Sequence, residues 1–208
     1  KYTKNFNNGM WLQGTGTFTY ATNEYSYYEE APRPETPWLN HKGEKINAHW
    51  GYLAERLFID EYDINNSPTQ VYGAQSILPG DIKYKDVNGD GVVNDGDKVA
   101  IGATTKPNLI YGFGVSAQWK GFDFNTVFQG VGKRTIYREI DSWKVPFKAI
   151  WLNTTNQSVG NVWSPETPNN HFPTYSNSND INNYNYIPST WSADNGAYLR
   201  LKEIVLGY

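Results

Sequence analysis

Apolar and polar side chains alternate with a period of two along four stretches of this chain, the repeat that sends successive side chains to opposite faces of a β-strand. In WLQGTGTFTY, Leu12, Phe18 and Tyr20 share a face with Gly14 and Gly16, opposite Gln13, Thr15, Thr17 and Thr19. In IYGFGVSAQW, Tyr111, Phe113, Val115, Ala117 and Trp119 alternate with Gly112, Gly114, Ser116 and Gln118. FDFNTVFQG follows, with Phe122, Phe124, Thr126 and Phe128 opposite Asp123, Asn125, Val127 and Gln129. Lys120-Gly121 stands between these two runs, and glycine supplies the positive φ of a two-residue turn, so a tight hairpin is expected there. The fourth run, AYLRLKEIVLGY, places Leu199 and Leu201 against Tyr198, Arg200 and Lys202, then loses phase at Glu203-Ile204. A β-bulge or a change of environment accounts for such a slip.

Two long segments without regular periodicity, Thr22 to Asn108 and Val131 to Asn195, separate the strands and are rich in Asn, Pro, Ser, Tyr and Trp. The organisation read from the sequence is a strand at 9–21, a long loop at 22–108, a hairpin at 109–130, a second long loop at 131–195 and a strand at 196–208. Loops of that length are abnormal for a compact soluble domain. An outer-membrane barrel tolerates them, because short turns at one rim alternate with long loops at the other. Periodicity alone leaves this barrel and a soluble β-sandwich with long loops equally open.

Composition sharpens the all-β reading. Hydrophobic residues make up 38% of 208 residues, and 16 Tyr, 8 Trp and 9 Phe supply much of that apolar surface, which suits β-structure better than a helical bundle. The net charge is −3 and no Lys or Arg stripe is present to neutralise phosphates, so nucleic acid is excluded as the expected partner. With no cysteine, disulfides, Cys-based zinc sites and thiol nucleophiles are excluded. No run of about 18 apolar residues reads as a membrane helix. Lys1 opens without a signal peptide and the chain stops in the strand-like EIVLGY, so the sequence reads as an internal piece of a longer protein.

One motif carries metal chemistry. In DVNGDGVVNDGD, Asp86 to Asp97, oxygen donors fall at the positions a calcium loop requires: Asp86, Asn88, Asp90, the Val92 carbonyl, Asn94 and Asp97, with Gly91 at the sharp turn. Asp97 stands where an EF-hand has Glu, and the flanks DIKYK and KVAIG alternate like short strands instead of forming helices. The same residues also make a turn held by its own Asx hydrogen bonds, without an ion. Both readings stand, and either fixes a loop without implying catalysis. His41, His49 and His171 lack the i, i+4 spacing of a zinc helix. Glu29, Glu30, Asp60, Glu61 and Asp63 lie in polar stretches that read as solvated surface, while a glycosidase pair among them is not visible in sequence. Neither a Gly-x-Ser-x-Gly elbow nor a phosphate loop occurs. Trp38, Trp50, Trp143, Trp151, Trp163, Trp191, Tyr25, Tyr27 and Tyr28 lie in or beside the long loops, where aromatic rings either stack on ligand or hold the loops together.

PGDIKYKDVNGDGVVNDGDKVAIG, then YGFGVSAQWKGFDFNTVFQGV, then NGAYLRLKEIVLGY, in that order, resemble the C-terminal part of SusC/RagA-type TonB-linked outer-membrane proteins. GYLAERLF and VWSPETPNNHFP resemble further signatures of that family, with a departure at Arg56, where a small residue is expected. The resemblance implies a fragment of a large antiparallel transmembrane β-barrel with long extracellular loops, contributing about four late strands, in the outer membrane of Bacteroidetes-type bacteria. It also implies import of oligosaccharides or peptides, TonB acting through an N-terminal region outside this chain, a SusD-like lipoprotein lid, and no enzymatic activity. Lys120-Gly121 and the turn in KNFNNG then face the periplasm. Tyr111, Phe113, Val115, Phe122, Phe124 and Phe128 meet outer-membrane lipid, and Asp123, Asn125 and Gln129 meet the lumen. Two other classes remain as alternatives: a calcium-stabilised soluble β-rich binding module and a polysaccharide-cleaving β-protein.

Overall fold

The computed structural model describes residues 1–71, 76–138, 155–174 and 184–208. In chain order the elements are β1 (Tyr2–Asn5), β2 (Trp11–Tyr20), β3 (His49–Gly51), β4 (Ala54–Leu57), α1 (Glu61–Asn65), β5 (Thr69–Gln70), β6 (Ile82–Tyr84), β7 (Val92–Val93) and β8 (Val99–Ile101). There follow β9 (Leu109–Trp119), β10 (Phe122–Gly132), β11 (Thr135–Tyr137), β12 (Ala193–Asn195) and β13 (Tyr198–Gly207). The chain divides into two compact units, one of residues 1–23, 103–136 and 195–208, the other of residues 24–102 and 137–194.

The first unit is a five-stranded antiparallel sheet in the order β1-β2-β9-β10-β13. The alternating runs become its four long strands. Lys120 and Gly121 have φ of 50° and 87°, the positive pair a type I′ turn demands, and the β9–β10 ladder closes on Trp119 opposite Phe122. The slip at Glu203 is a bulge. Val127 pairs with Glu203 while Phe128 pairs with Leu201, which leaves Lys202 as the extra residue and keeps Ile204 and Leu206 on the face of Leu199 and Leu201. The short β1 is a fifth strand beyond the four expected. Its YTKN sequence is polar and carries no periodic signal, and pairing with β2 places Lys4 and Asn5 in the ladder, so the turn shrinks to residues 6–10.

Register sorts the sheet into two faces. Phe18 lies beside Tyr111, Phe113 beside Phe128, and Phe124 beside Leu206, while Gln129 and Arg200 face the other side and hydrogen-bond at 2.9 Å. The Phe113 and Phe128 rings stack at 5.0 Å. Gly130 makes room for the Tyr111 ring on the apolar face: a Cβ there would meet the ring at 2.2 Å, so a side chain at this position requires the ring to move. The sheet has no closed core of its own. Leu206 is 79% exposed and Phe18 72% exposed, as expected of strands whose apolar face meets lipid instead of protein.

Connectivity at the two ends of the sheet is unequal. Tyr20 pairs with Leu109 and Val131 with Tyr198, so both long insertions leave and re-enter at one rim, whereas the tight turns close the other. Among the described residues no helix is long and apolar enough to cross a membrane.

Hydrophobic burial concentrates in the second unit, in segments whose sequence reads as irregular. Tyr52, Leu57, Ile82, Tyr84, Val93, Tyr184 and Ile187 form its core, with Trp163 and Trp191 packed against it. Short ladders frame it: β3 with β8, β4 with β6, and the parallel pair β5–β7. Arg56, the departure noted in GYLAERLF, sits after a register shift in β4 and forms a two-pronged ion pair with Asp63 of α1. The guanidinium hydrogen bonds hold the Asp63 carboxyl well below the usual carboxylate range.

Candidate functional site

The DVNGDGVVNDGD loop lies in the second unit, with β7 inside it and β8 after it. Gly89 and Gly91 take φ of 77° and 85°, the left-handed region that glycine alone adopts without strain. Asp86 accepts from the N–H of Gly89 at 2.6 Å and of Gly91 at 2.8 Å. Asp90 accepts from Val92 N–H and from the Asn88 amide, both at 2.8 Å, and Asn88 accepts from Asp90 N–H. Asp97 is fully buried and accepts from Val87 at 2.7 Å, Asn88 at 3.3 Å and Asn94 at 2.8 Å. Asn94 caps a short 3₁₀ turn at Asp95–Asp97 in a capping box with Asp97, and the Asp97 bonds to Val87 and Asn88 N–H tie that turn back to the start of the loop. Every carboxylate oxygen of Asp86, Asp90 and Asp97 thus receives a hydrogen bond within the loop. Among the described residues no three His, Cys, Asp or Glu side chains converge as a metal-holding group.

The loop is tied to the core by its own β-strand. Val93 is buried, and β5 beside it contributes Gln70, whose amide donates to the Tyr84 carbonyl at 3.1 Å and accepts from Tyr84 N–H at 3.2 Å and from the Tyr184 hydroxyl at 2.9 Å. The Trp38 indole N–H donates to the Gly96 carbonyl at 2.9 Å. Burial pushes the Tyr84 and Tyr184 phenols far up, so both stay neutral donors.

The three histidines serve separate contacts. His41 pairs with Glu30 at 2.9 Å and stacks on Tyr28, His49 stacks on Tyr137, and His171 stacks on Trp191. Asp60 caps α1 through Asp63 N–H at 2.8 Å. These contacts account for Trp38, Trp191, Tyr28 and much of the carboxylate group as internal ties of the unit. Trp50 tilts against His41 at 5.2 Å. Trp143 and Trp151 lie outside the described residues.

One group escaped sequence reading altogether. Asp81, fully buried, accepts from Leu78 N–H and from the Asn185 amide, both at 2.8 Å, and the Asn185 oxygen accepts from Ile82 N–H at 2.9 Å. This link joins the two insertions across a separation of 104 residues, and neither GDI nor YNY marks it. Burial raises the Asp81 carboxyl from 3.8 to about 6 despite those hydrogen bonds. Between these values the unfolded chain has lost its proton and the folded chain has not, so this group's contribution to stability falls as pH rises from about 4 to 6. The shift corresponds to a loss on the order of 3 kcal/mol above pH 6. Asp63 gives the opposite slope below pH 4, so the check is a difference: urea midpoints of wild type and Asp81→Asn should diverge across pH 4–6 and run parallel above it.

Comparison with known proteins now bears on this geometry. No family model matches the chain. Two TonB-dependent receptors of Formosa agariphila match it, one at 29% identity over 133 residues, covering 62% of this chain and 12% of that receptor. The other is 27% identical over 169 residues, covering 80% of this chain and 15% of that receptor. The chain therefore spans less than a sixth of either relative. Among solved structures, the RagAB peptide transporter matches with a TM-score of 0.61 at 17% identity, over 98% of this chain and 21% of that one. The RagAB peptide importer in its open-open state gives 0.58 at 15% identity over 98% and 20%.

The fold is that of a fragment of a large antiparallel transmembrane β-barrel, and not the soluble sandwich that periodicity left open. Within that class, the resemblance to SusC/RagA-type TonB-linked proteins carried by three ordered motifs holds, in sequence toward TonB-dependent receptors and in structure toward the RagAB transporter.

Proposed function

We propose that the protein containing this chain is an outer-membrane transporter that imports an oligosaccharide or peptide, using energy delivered through TonB, with a SusD-like surface lipoprotein over its extracellular insertions. The observation that carries this reading is the unequal pair of rims. Both insertions leave one end of a sheet with an exposed apolar face, and only tight turns close the other, as in barrels whose long loops are extracellular. Lys120-Gly121 then faces the periplasm. That a neighbour in fold is a peptide importer supports import as the direction of transport. No catalytic role belongs to this reading: Asp81, Asn185, Gln70, Tyr84 and Tyr184 are engaged in hydrogen bonds within the loop unit.

The test uses the full-length protein in its own cells. Replacing residues 24–102 by a short linker should abolish co-purification of a surface lipoprotein and nutrient uptake, while the barrel still fractionates with the outer membrane. Unchanged uptake and unchanged co-purification would remove the lid from the proposal.

We further propose that the 86–97 loop takes one Ca²⁺ through Asp86, Asn88, Asp90, the Val92 carbonyl, Asn94 and Asp97. Support comes from the donor spacing, from the hardness of the oxygens, and from capacity. A carboxylate oxygen that accepts one N–H retains a further lone pair, so the hydrogen bonds within the loop leave room for ligation by Asp86 and Asp90. Calcium at millimolar concentration should slow proteolysis of residues 86–97 in the full-length protein, and Asp90→Ala should erase that protection. Equal proteolysis with calcium and with chelator would leave an Asx-bonded turn that needs no ion.

A further inference from the structure

The loop unit contains a cavity of about 650 Å³ that none of the motifs anticipates. Its lining is mostly apolar: Ile59, Leu78, Pro79 and Pro165, with the rings of Tyr62 and Trp163. The Trp163 indole lies against Gly80, where a Cβ would come within 2.6 Å of it, so the glycine lets this wall close up. Leu78 is fixed from behind by the Asp81 carboxylate through its N–H. Tyr62, by contrast, is 77% exposed, and Ile59 and Leu78 are also exposed, so the apolar surface is open to a ligand and not sealed.

Polarity at this cavity has one sign. Asp60 and Glu61 line it, and the nearby cations Arg56 and Lys83 are both turned onto Asp63. Among the described residues the Glu61 carboxylate has no hydrogen-bond or ion-pair partner, and Asp60 uses one oxygen to cap α1. An apolar chamber with carboxylates at its edge selects a group that is greasy and positively charged at adjacent positions. A sugar is a poor match, because beyond the carboxylates Thr174 is the sole hydroxyl in the lining apart from the Tyr62 phenol. Anionic lipid and nucleic acid are repelled by the same carboxylates.

We infer that this cavity is a binding site for an oligopeptide, seating an aliphatic or aromatic side chain against Trp163, Leu78 and Pro79 while an adjacent lysine or arginine pairs with Glu61 and Asp60. The Lys or Arg stem lies along the exposed Tyr62 ring, an arrangement that covers apolar surface and adds a cation–π contact. The volume falls in the range of ligand pockets and admits more than one side chain. The inference rests on the transport reading only for the source of the peptide; binding itself needs no transport.

The experiment titrates the full-length receptor in detergent with three labelled synthetic tetrapeptides, capped at both ends, whose central pairs are Leu-Lys, Leu-Glu and Gly-Lys. Leu-Lys should bind at least tenfold more tightly than either of the others. Glu61→Lys should abolish the preference for Lys over Glu, and Tyr62→Ala, at a side chain already in solvent, should weaken Leu-Lys binding severalfold without altering thermal unfolding. Equal affinity for the three peptides, an unchanged preference in Glu61→Lys, or displacement of the peptide by a neutral oligosaccharide would each overturn the assignment. TonB-dependent uptake without peptide preference sinks this inference and leaves the transport reading standing. Peptide preference without uptake does the reverse.

Discussion

Tyr84→Ala is expected to destabilise the loop unit by about 3–5 kcal/mol, the cost of deleting a large buried aromatic side chain. The ring is 1% exposed and lies 5.5 Å from Tyr52 and 5.2 Å from Tyr184, so its removal opens a cavity between residues that come from both insertions. Its hydroxyl also donates to the Tyr184 carbonyl at 3.2 Å, a bond that Tyr84→Phe alone removes, for about 1 kcal/mol. Hydrogen exchange of the full-length protein reads the difference. In Tyr84→Ala, amide protection should collapse across residues 52–58, 80–84 and 184–187 together, while the 109–132 hairpin keeps its protection. Loss confined to β6 would mean that the insertions do not share one core.

That core was the least legible part of the sequence. Strands betray themselves by a period of two, and the Lys120-Gly121 hairpin and the bulge near Glu203 both follow from alternation read residue by residue. Tyr52, Tyr84 and Tyr184 have no period to display, because Tyr84 enters the core from a three-residue strand, Tyr52 from an isolated bridge and Tyr184 from a short helical stretch, among Asn- and Pro-rich neighbours. The segments look like solvated loops, yet their aromatic rings are what closes the unit. Asp81 and Asn185 are invisible for a related reason: the bond between them depends on packing across 104 residues of chain. β1 was missed because YTKN is polar on both faces and pairs through its backbone alone.

The 86–97 loop shows a different limit. Asp, Asn and Gly at those spacings are what a calcium loop needs and equally what a chain of Asx turns needs, since both use short side chains carrying oxygen beside left-handed glycines. Sequence fixes the donors and the backbone reversal, and the hydrogen bonds of Asp86, Asp90 and Asp97 follow from them. Whether a cation joins those donors depends on a binding equilibrium, which no arrangement of the residues alone determines.

Face assignment in the sheet leads to the second large effect, and register relocates it. Phe124 lies two residues beyond the Phe122 that closes the hairpin, near the rim, whereas Phe128 lies mid-strand opposite Phe113 and Leu201. An arginine on the lipid face costs roughly 2 to 4 kcal/mol at the bilayer midplane and about 0 to 1 near the interface. Phe128→Arg should therefore destabilise the full-length barrel by the larger amount, increased by loss of the 5.0 Å stack on Phe113, and Phe124→Arg by clearly less. Thr17→Arg is the control at matching depth, because Thr17 pairs with Gly112 and Gly112 with Gln129, next to Phe128 but on the opposite face. There the charge meets the lumen, and the expected change is under about 1 kcal/mol, within the range of surface substitutions. Urea unfolding of the barrel in lipid vesicles orders the three variants. If Thr17→Arg proves the most damaging and Phe128→Arg the least, the apolar face is turned inward, and these strands do not line a membrane barrel in the sense assigned to them.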